Sequence, residues 1–112
     1  MKVIAAALLL VLISNPSATA GGAVRGFGGK SCGSWLEARA AQEDDRYQDW
    51  LDGFLTGVNW YQMTGETDAA ASTDEAGMDY WLDGYCRQHP TVVFAFAASA
   101  LLQSFHPELQ RR

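Results

Sequence analysis

Apolar residues recur at helical spacing along most of the chain, and they predict a run of helices. The clearest pattern is Tyr47, Trp50, Leu51, Phe54, Leu55, Val58 and Tyr61, whose three- and four-residue steps make one wide stripe. The acidic run Glu43-Asp44-Asp45 sits where that helix would start, and negative charge there favours the helix dipole. Upstream, Trp35, Leu36 and Ala40 mark a shorter helix beginning near Ser34, with Ser34 and Glu37 spaced as a capping box. Thr64 to Thr73 is polar and small and reads as a loop. Beyond it, Ser72 and Glu75 repeat the capping spacing and open a third helix near Asp74, with Met78, Trp81, Leu82, Tyr85 and Cys86 on one face. Pro90 stops that helix and suits the first turn of the next. From Thr91 to Phe105 the chain is apolar nearly all round, through Val92, Val93, Phe94, Phe96, Leu101, Leu102 and its alanines, which predicts a central buried helix. Its β-branched start also suits a strand.

The first residues follow a different pattern. Met1-Lys2 is a short positive start, Val3 to Ile13 is an unbroken apolar run, and Ser14-Asn15-Pro16 breaks it before Ala18-Thr19-Ala20. That order predicts a secretory signal peptide over residues 1–20, cleaved near Ala20. The alternative is a membrane anchor, but eleven apolar residues are too few for a span, which takes about 20. Gly21 to Gly33 is glycine-rich and has no apolar period, so residues 21–31 are expected to be a flexible leader to a helical domain at 32–112. The expected fold class is all-α: a small four-helix domain with one disulfide, behind a signal peptide and a Gly-rich leader.

Charge narrows the choice of partner. Loss of Lys2 with the signal leaves seven basic and thirteen acidic residues. Such a balance disfavours nucleic acid and anionic membrane surfaces, which need positive charge, and it suits a protein partner. A mature chain of this size is one domain with a marginal core. Its two cysteines, Cys32 and Cys86, are an even count in a short exported chain, so a disulfide between them is expected. The implied location is the periplasm or the extracellular space.

The candidate chemistry is thin. Gly29-Lys30-Ser31 lacks the phosphate-loop glycine five positions earlier, where Val24 stands, and no strand precedes it. Trp50-Leu51-Asp52-Gly53-Phe54 is echoed by Trp81-Leu82-Asp83-Gly84-Tyr85, which makes Asp52 and Asp83 a conceivable carboxylate pair. Both fall on helix flanks, so solvated charges are expected. Cys32, Cys86, His89 and His106 offer zinc-type donors, but one C-x-x-H spacing is no paired motif and export favours oxidised sulfur. With no nucleophile elbow and no free thiol, the chain is expected to be non-catalytic, with neither metal nor cofactor. Gly53 and Gly57, spaced by four, leave a groove on the second helix for close packing within the domain, or for a homodimer contact. Trp60 and Tyr61 cannot both face inward, so one is a candidate interface anchor.

Gly53-Phe54-Leu55-Thr56-Gly57-Val58, then His89-Pro90, then the helix ending Phe105-His106-Pro107 resemble the type VI secretion amidase-immunity (Tai) family. The resemblance covers roughly Trp50 to Pro107. It implies an exported, all-helical protein that binds and blocks a peptidoglycan-cleaving amidase, in some members as a homodimer. It transfers no contact residues, so the binding residues are not assigned. The order of Cys32, short helix, long helix, polar loop, helix ending at Cys86 and final helix is also similar to the HdeA-type acid-stress chaperones of the periplasm. That resemblance implies binding of unfolded clients in acid.

Overall fold

A computed structural model of the chain describes residues 22–109. The expected signal peptide lies outside the described residues. Within them the fold is all-helical, with α1 (Cys32–Ala41), α2 (Asp45–Tyr61), α3 (Glu75–Gln88) and α4 (Phe94–Phe105) behind a single 3-10 turn at Gly26–Gly29. This is the four-helix fold that the periodicity predicts.

Two helix starts and the cap of a third helix differ from the expected ones, each for a hydrogen-bonding reason. α1 begins ahead of Ser34, because the Ser31 hydroxyl accepts the Ser34 N–H at 3.1 Å and caps the helix. The first turn of a helix leaves N–H groups without partners. Here Cys32 N–H donates to Val92 O (2.8 Å) and Gly33 N–H to Pro90 O (2.9 Å), while Phe94 N–H returns to Lys30 O (2.7 Å). That exchange pairs Ser31 with Val93 as an isolated antiparallel bridge. Residues 90–93 are consequently taken up by α1, and α4 starts at Phe94 rather than Thr91. At α3 the cap is Asp74, whose carboxylate accepts the Gly77 N–H at 2.8 Å, and not Ser72.

The core joins all four helices. Trp35 from α1 stacks on Phe94 from α4 with ring centroids 4.9 Å apart, and Tyr47 from α2 meets Phe94 edge-on at 5.3 Å. Leu51, Leu82, Ala97, Ala98 and Leu101 close around them with no exposed surface. The Cys32–Cys86 disulfide lies in the same cluster, ties the head of α1 to the end of α3 and brings their Cα atoms to 4.9 Å. Cys86 therefore faces inward, as its place on the α3 stripe predicts.

The glycine-rich leader, expected to be flexible, makes contacts with α2. Its 3-10 turn lies on α2, and the Trp50 indole N–H donates to Arg25 O at 2.7 Å. A side chain at Gly28 would run into the Trp50 ring, so a bare backbone is what permits the contact. Phe27 adds an edge-on contact to Tyr47 at 4.9 Å.

Gly53 and Gly57 are a correction. They do not mediate close packing within the domain, since a Cβ at either position would meet nothing within 4 Å among the described residues. α2 buries Tyr47, Leu51, Leu55 and Val58 instead, and Gly53 lies on the exposed side.

The loop between α2 and α3 is held by two polar side chains. Asn59 accepts the Ala69 N–H at 2.7 Å and donates to Asp68 at 3.1 Å. His106 sits 2.7 Å from Ala69 O through Nε2 and 2.9 Å from Glu108 through Nδ1. Both contacts suit an imidazolium donor, so the Ala69 carbonyl first and Glu108 second hold the His106 pKa above its ordinary value. The associated stabilisation is complete below about pH 6.5 and fades as pH rises through the raised value. An NMR titration is expected to place the His106 midpoint above that value, and Glu108→Gln to lower it. A midpoint unmoved by Glu108→Gln would refute the assignment.

Candidate binding surface

One polar cluster bridges three helices, at positions that no motif in the sequence marks. Arg39 on α1 reaches Asp83 on α3 through two prongs, Nε to Oδ1 at 3.2 Å and Nη2 to Oδ2 at 3.3 Å. Its Nη1 lies 3.3 Å from both Asp44 Oδ2 and Asp79 Oδ2. Gln48 completes the ring, its amide donating to Asp79 at 2.6 Å and to Asp44 at 3.0 Å. The Trp35 indole N–H donates to Asp83 at 3.0 Å. No buried side-chain nitrogen or oxygen among the described residues lacks a partner.

Three carboxylates share one guanidinium here, and their surroundings separate them. Asp79 is buried, and burial raises its pKa against the opposing pull of Gln48 and Arg39, with Asp44 and Asp83 adding to the rise. Burial also raises Asp44, but Gln48, its own backbone N–H and Arg39 outweigh that and leave its pKa lowered. Two carboxyls driven apart in this way are the raw material of acid–base chemistry. In this cluster both are occupied by Arg39 and Gln48, which makes it a brace between α1, α2 and α3.

The outward side of α2 is built differently. Asp45, Asp49, Asp52, Gly53, Thr56 and Trp60 are all exposed on it. Trp60 leaves 77% of its surface in solvent and Tyr61 leaves 86%. Both neighbours of the aromatic pair therefore point outward, where the sequence requires only one. Tyr80 on α3 is a third exposed aromatic, at 82%.

The five-residue echo is a packing unit. Leu51 and Leu82 are fully buried in equivalent places. Trp50 stacks on Phe54 at 5.6 Å and Trp81 on Tyr85 at 5.3 Å, both with ring planes 12° apart. The aspartates part company, since Asp52 is exposed while Asp83 is held by Arg39 and Trp35. The structure does not bring them together as a pair. Nor does it assemble the zinc-type donors: the cysteines bond each other, His89 lies tilted against Tyr85 with ring centroids 4.4 Å apart, and His106 holds the loop.

Sequence reasoning missed Arg39, Asp44, Gln48 and Asp79. The available signal was the i,i+4 pairing of Asp44 with Gln48 and of Asp79 with Asp83, beside apolar stripes. Among the described residues no helix is long and apolar enough to cross a membrane. Compared with known proteins, the chain matches no family model, no curated protein and no solved structure.

Proposed function

We propose that the chain is an exported, non-catalytic binding protein that inhibits a peptidoglycan amidase in the manner of an immunity protein. The observation that carries the binding reading is the outward side of α2, where Trp60 stands 77% exposed on the helix that also presents Asp45, Asp49 and Asp52. Tryptophan and tyrosine are enriched in binding hot spots, and leaving two adjacent ones in water gives the isolated domain nothing. The disulfide supports an oxidising location such as the periplasm, reached through the expected signal peptide. The Tai resemblance, over roughly Trp50 to Pro107, supplies the amidase as the partner.

The test is a pull-down from periplasmic extract with the oxidised protein, at pH 7 and near pH 3, followed by an assay of peptidoglycan cleavage by what is captured. One stoichiometric amidase at neutral pH, inhibited by the protein, is the expected result. Trp60→Ala is expected to weaken that inhibition by about 30-fold, equivalent to about 2 kcal/mol for a hot-spot aromatic. Capture of many unrelated clients in acid alone would instead identify an HdeA-like chaperone.

A further inference from the structure

On the opposite flank of α2, a cleft of about 480 Å³ separates it from α4, with Val24, Arg25, Trp50, Phe54, Phe96 and Ser99 among its walls. We propose that this cleft is a binding site for a small amphipathic carboxylate, its apolar body against the aromatic walls and its carboxylate at Arg25. The proposal is independent of the amidase reading, which concerns the outward side of α2.

Three features define the ligand. The first is an apolar wall. Trp50 and Phe54, stacked with planes 12° apart, present one continuous aromatic face. Val24 and Phe96, 42% and 46% exposed, line the same cleft. The second is that the Trp50 indole N–H is already given to Arg25 O, which leaves the Ser99 hydroxyl as the neutral side-chain donor lining the cleft. The third is charge. Arg25 is the one charged residue lining the cleft, and it forms no ion pair among the described residues.

The surrounding charge favours an anion as well. Lys30, just after the leader turn, and Arg46, on α2, lie 5.3 and 5.6 Å from the centre of the ring of Phe27, which is on that turn. Of the five basic residues between 22 and 109, Arg25 thus lines the cleft and two others flank Phe27, two positions along the chain from it. A site of a few hundred Å³ with mostly apolar walls and one placed charge fits the usual build of a small-molecule site. A second cleft among the described residues, lined by Arg39, Asp44, Asp83 and Arg87, has Arg39 paired with both of its carboxylates.

Isothermal titration of the oxidised protein with dodecanoate, dodecan-1-ol and dodecyltrimethylammonium, each below its micelle threshold, tests the proposal. Dodecanoate is expected to bind one to one and to shift the NMR signals of the Trp50 indole and of Ala95 to Ser99. Dodecan-1-ol is expected to bind about tenfold more weakly, the value of one charge-assisted contact, and the cation more weakly still. Arg25→Gln should bring dodecanoate to the level of dodecan-1-ol and leave dodecan-1-ol unchanged. Ala95→Trp, which fills the cleft, should abolish both while circular dichroism and the melting curve report an intact fold. Equal affinity for the three headgroups, shifts mapped elsewhere, no saturable binding, or indifference to Arg25→Gln would overturn the proposal.

Discussion

Replacing both Cys32 and Cys86 by alanine, or reducing the bond, is expected to remove about 4 kcal/mol of stability. The bridge closes a loop with a sequence separation of 54. In the chain-entropy model, opening a loop of that length returns about 4 kcal/mol of conformational freedom to the unfolded chain. A domain this small has a net stability near the lower end of about 5–15 kcal/mol, so most of its margin would go. What would still hold the head of α1 to the connector before α4 is the exchange of Cys32, Gly33 and Phe94 N–H groups with Val92, Pro90 and Lys30. Between α1 and α3 the bonds of Arg39 and Trp35 to Asp83 would remain, but they do not restrict the unfolded chain as the covalent tie does. Thermal melting of oxidised and reduced protein, followed by circular dichroism, is the measurement, and a drop on the order of 20 °C is expected. A change equivalent to under about 1 kcal/mol would show that the aromatic core carries the fold unaided.

How far the sequence anticipates this molecule depends on whether each feature is local. The α2 stripe is legible because its apolar residues alternate with charges that stay in water, and Cys86 is placed correctly because it shares the stripe of Met78 and Leu82. Helix starts are less legible, because several residues nearby can cap. Ser31 and Ser34 both suit the role, and the choice falls to Ser31 because residues 90–93 meet the N–H groups that follow it. Gly26 to Gly29 carries no apolar period, so it reads as flexible. The same lack of side chains is what lets Gly28 lie on Trp50. Asp52 and Asp83 mark the limit. They occupy the same place in near-identical pentapeptides, yet one is solvated and the other is bound by an arginine 44 positions away. Only tertiary contact separates them. The exposure of both Trp60 and Tyr61 is of the same kind, since nothing in their local pattern decides whether another helix covers them.

Arg39→Ala should be the most damaging single replacement in the polar cluster, and its effect should depend on pH in a defined direction. Removing the guanidinium leaves Asp79 buried beside Asp44 and Asp83 with Gln48 as its remaining partner. Breaking a buried ion pair from one side costs about 3–5 kcal/mol, and the low end is expected because Arg39 is itself part-exposed. In the native protein the two shifted carboxyls act in opposite senses. Asp44, with its lowered pKa, contributes stability above its unfolded value near 4 that is lost as pH falls through the folded one. Asp79, with its raised pKa, favours the fold below that unfolded value and loses this contribution as pH rises through its folded one. Without Arg39 the support for ionised Asp44 weakens and the penalty on ionised Asp79 grows. The variant should therefore lie closer to the native protein at pH 4 than at pH 7. Urea unfolding at the two pH values measures this, and Arg39→Ala with Asp79→Asn should recover part of the loss at pH 7 by removing the buried charge. Equal losses at both pH values, with no recovery in the double variant, would mean that Arg39 acts through its packing over the Trp35 ring, 5.5 Å away, and not through the carboxylates.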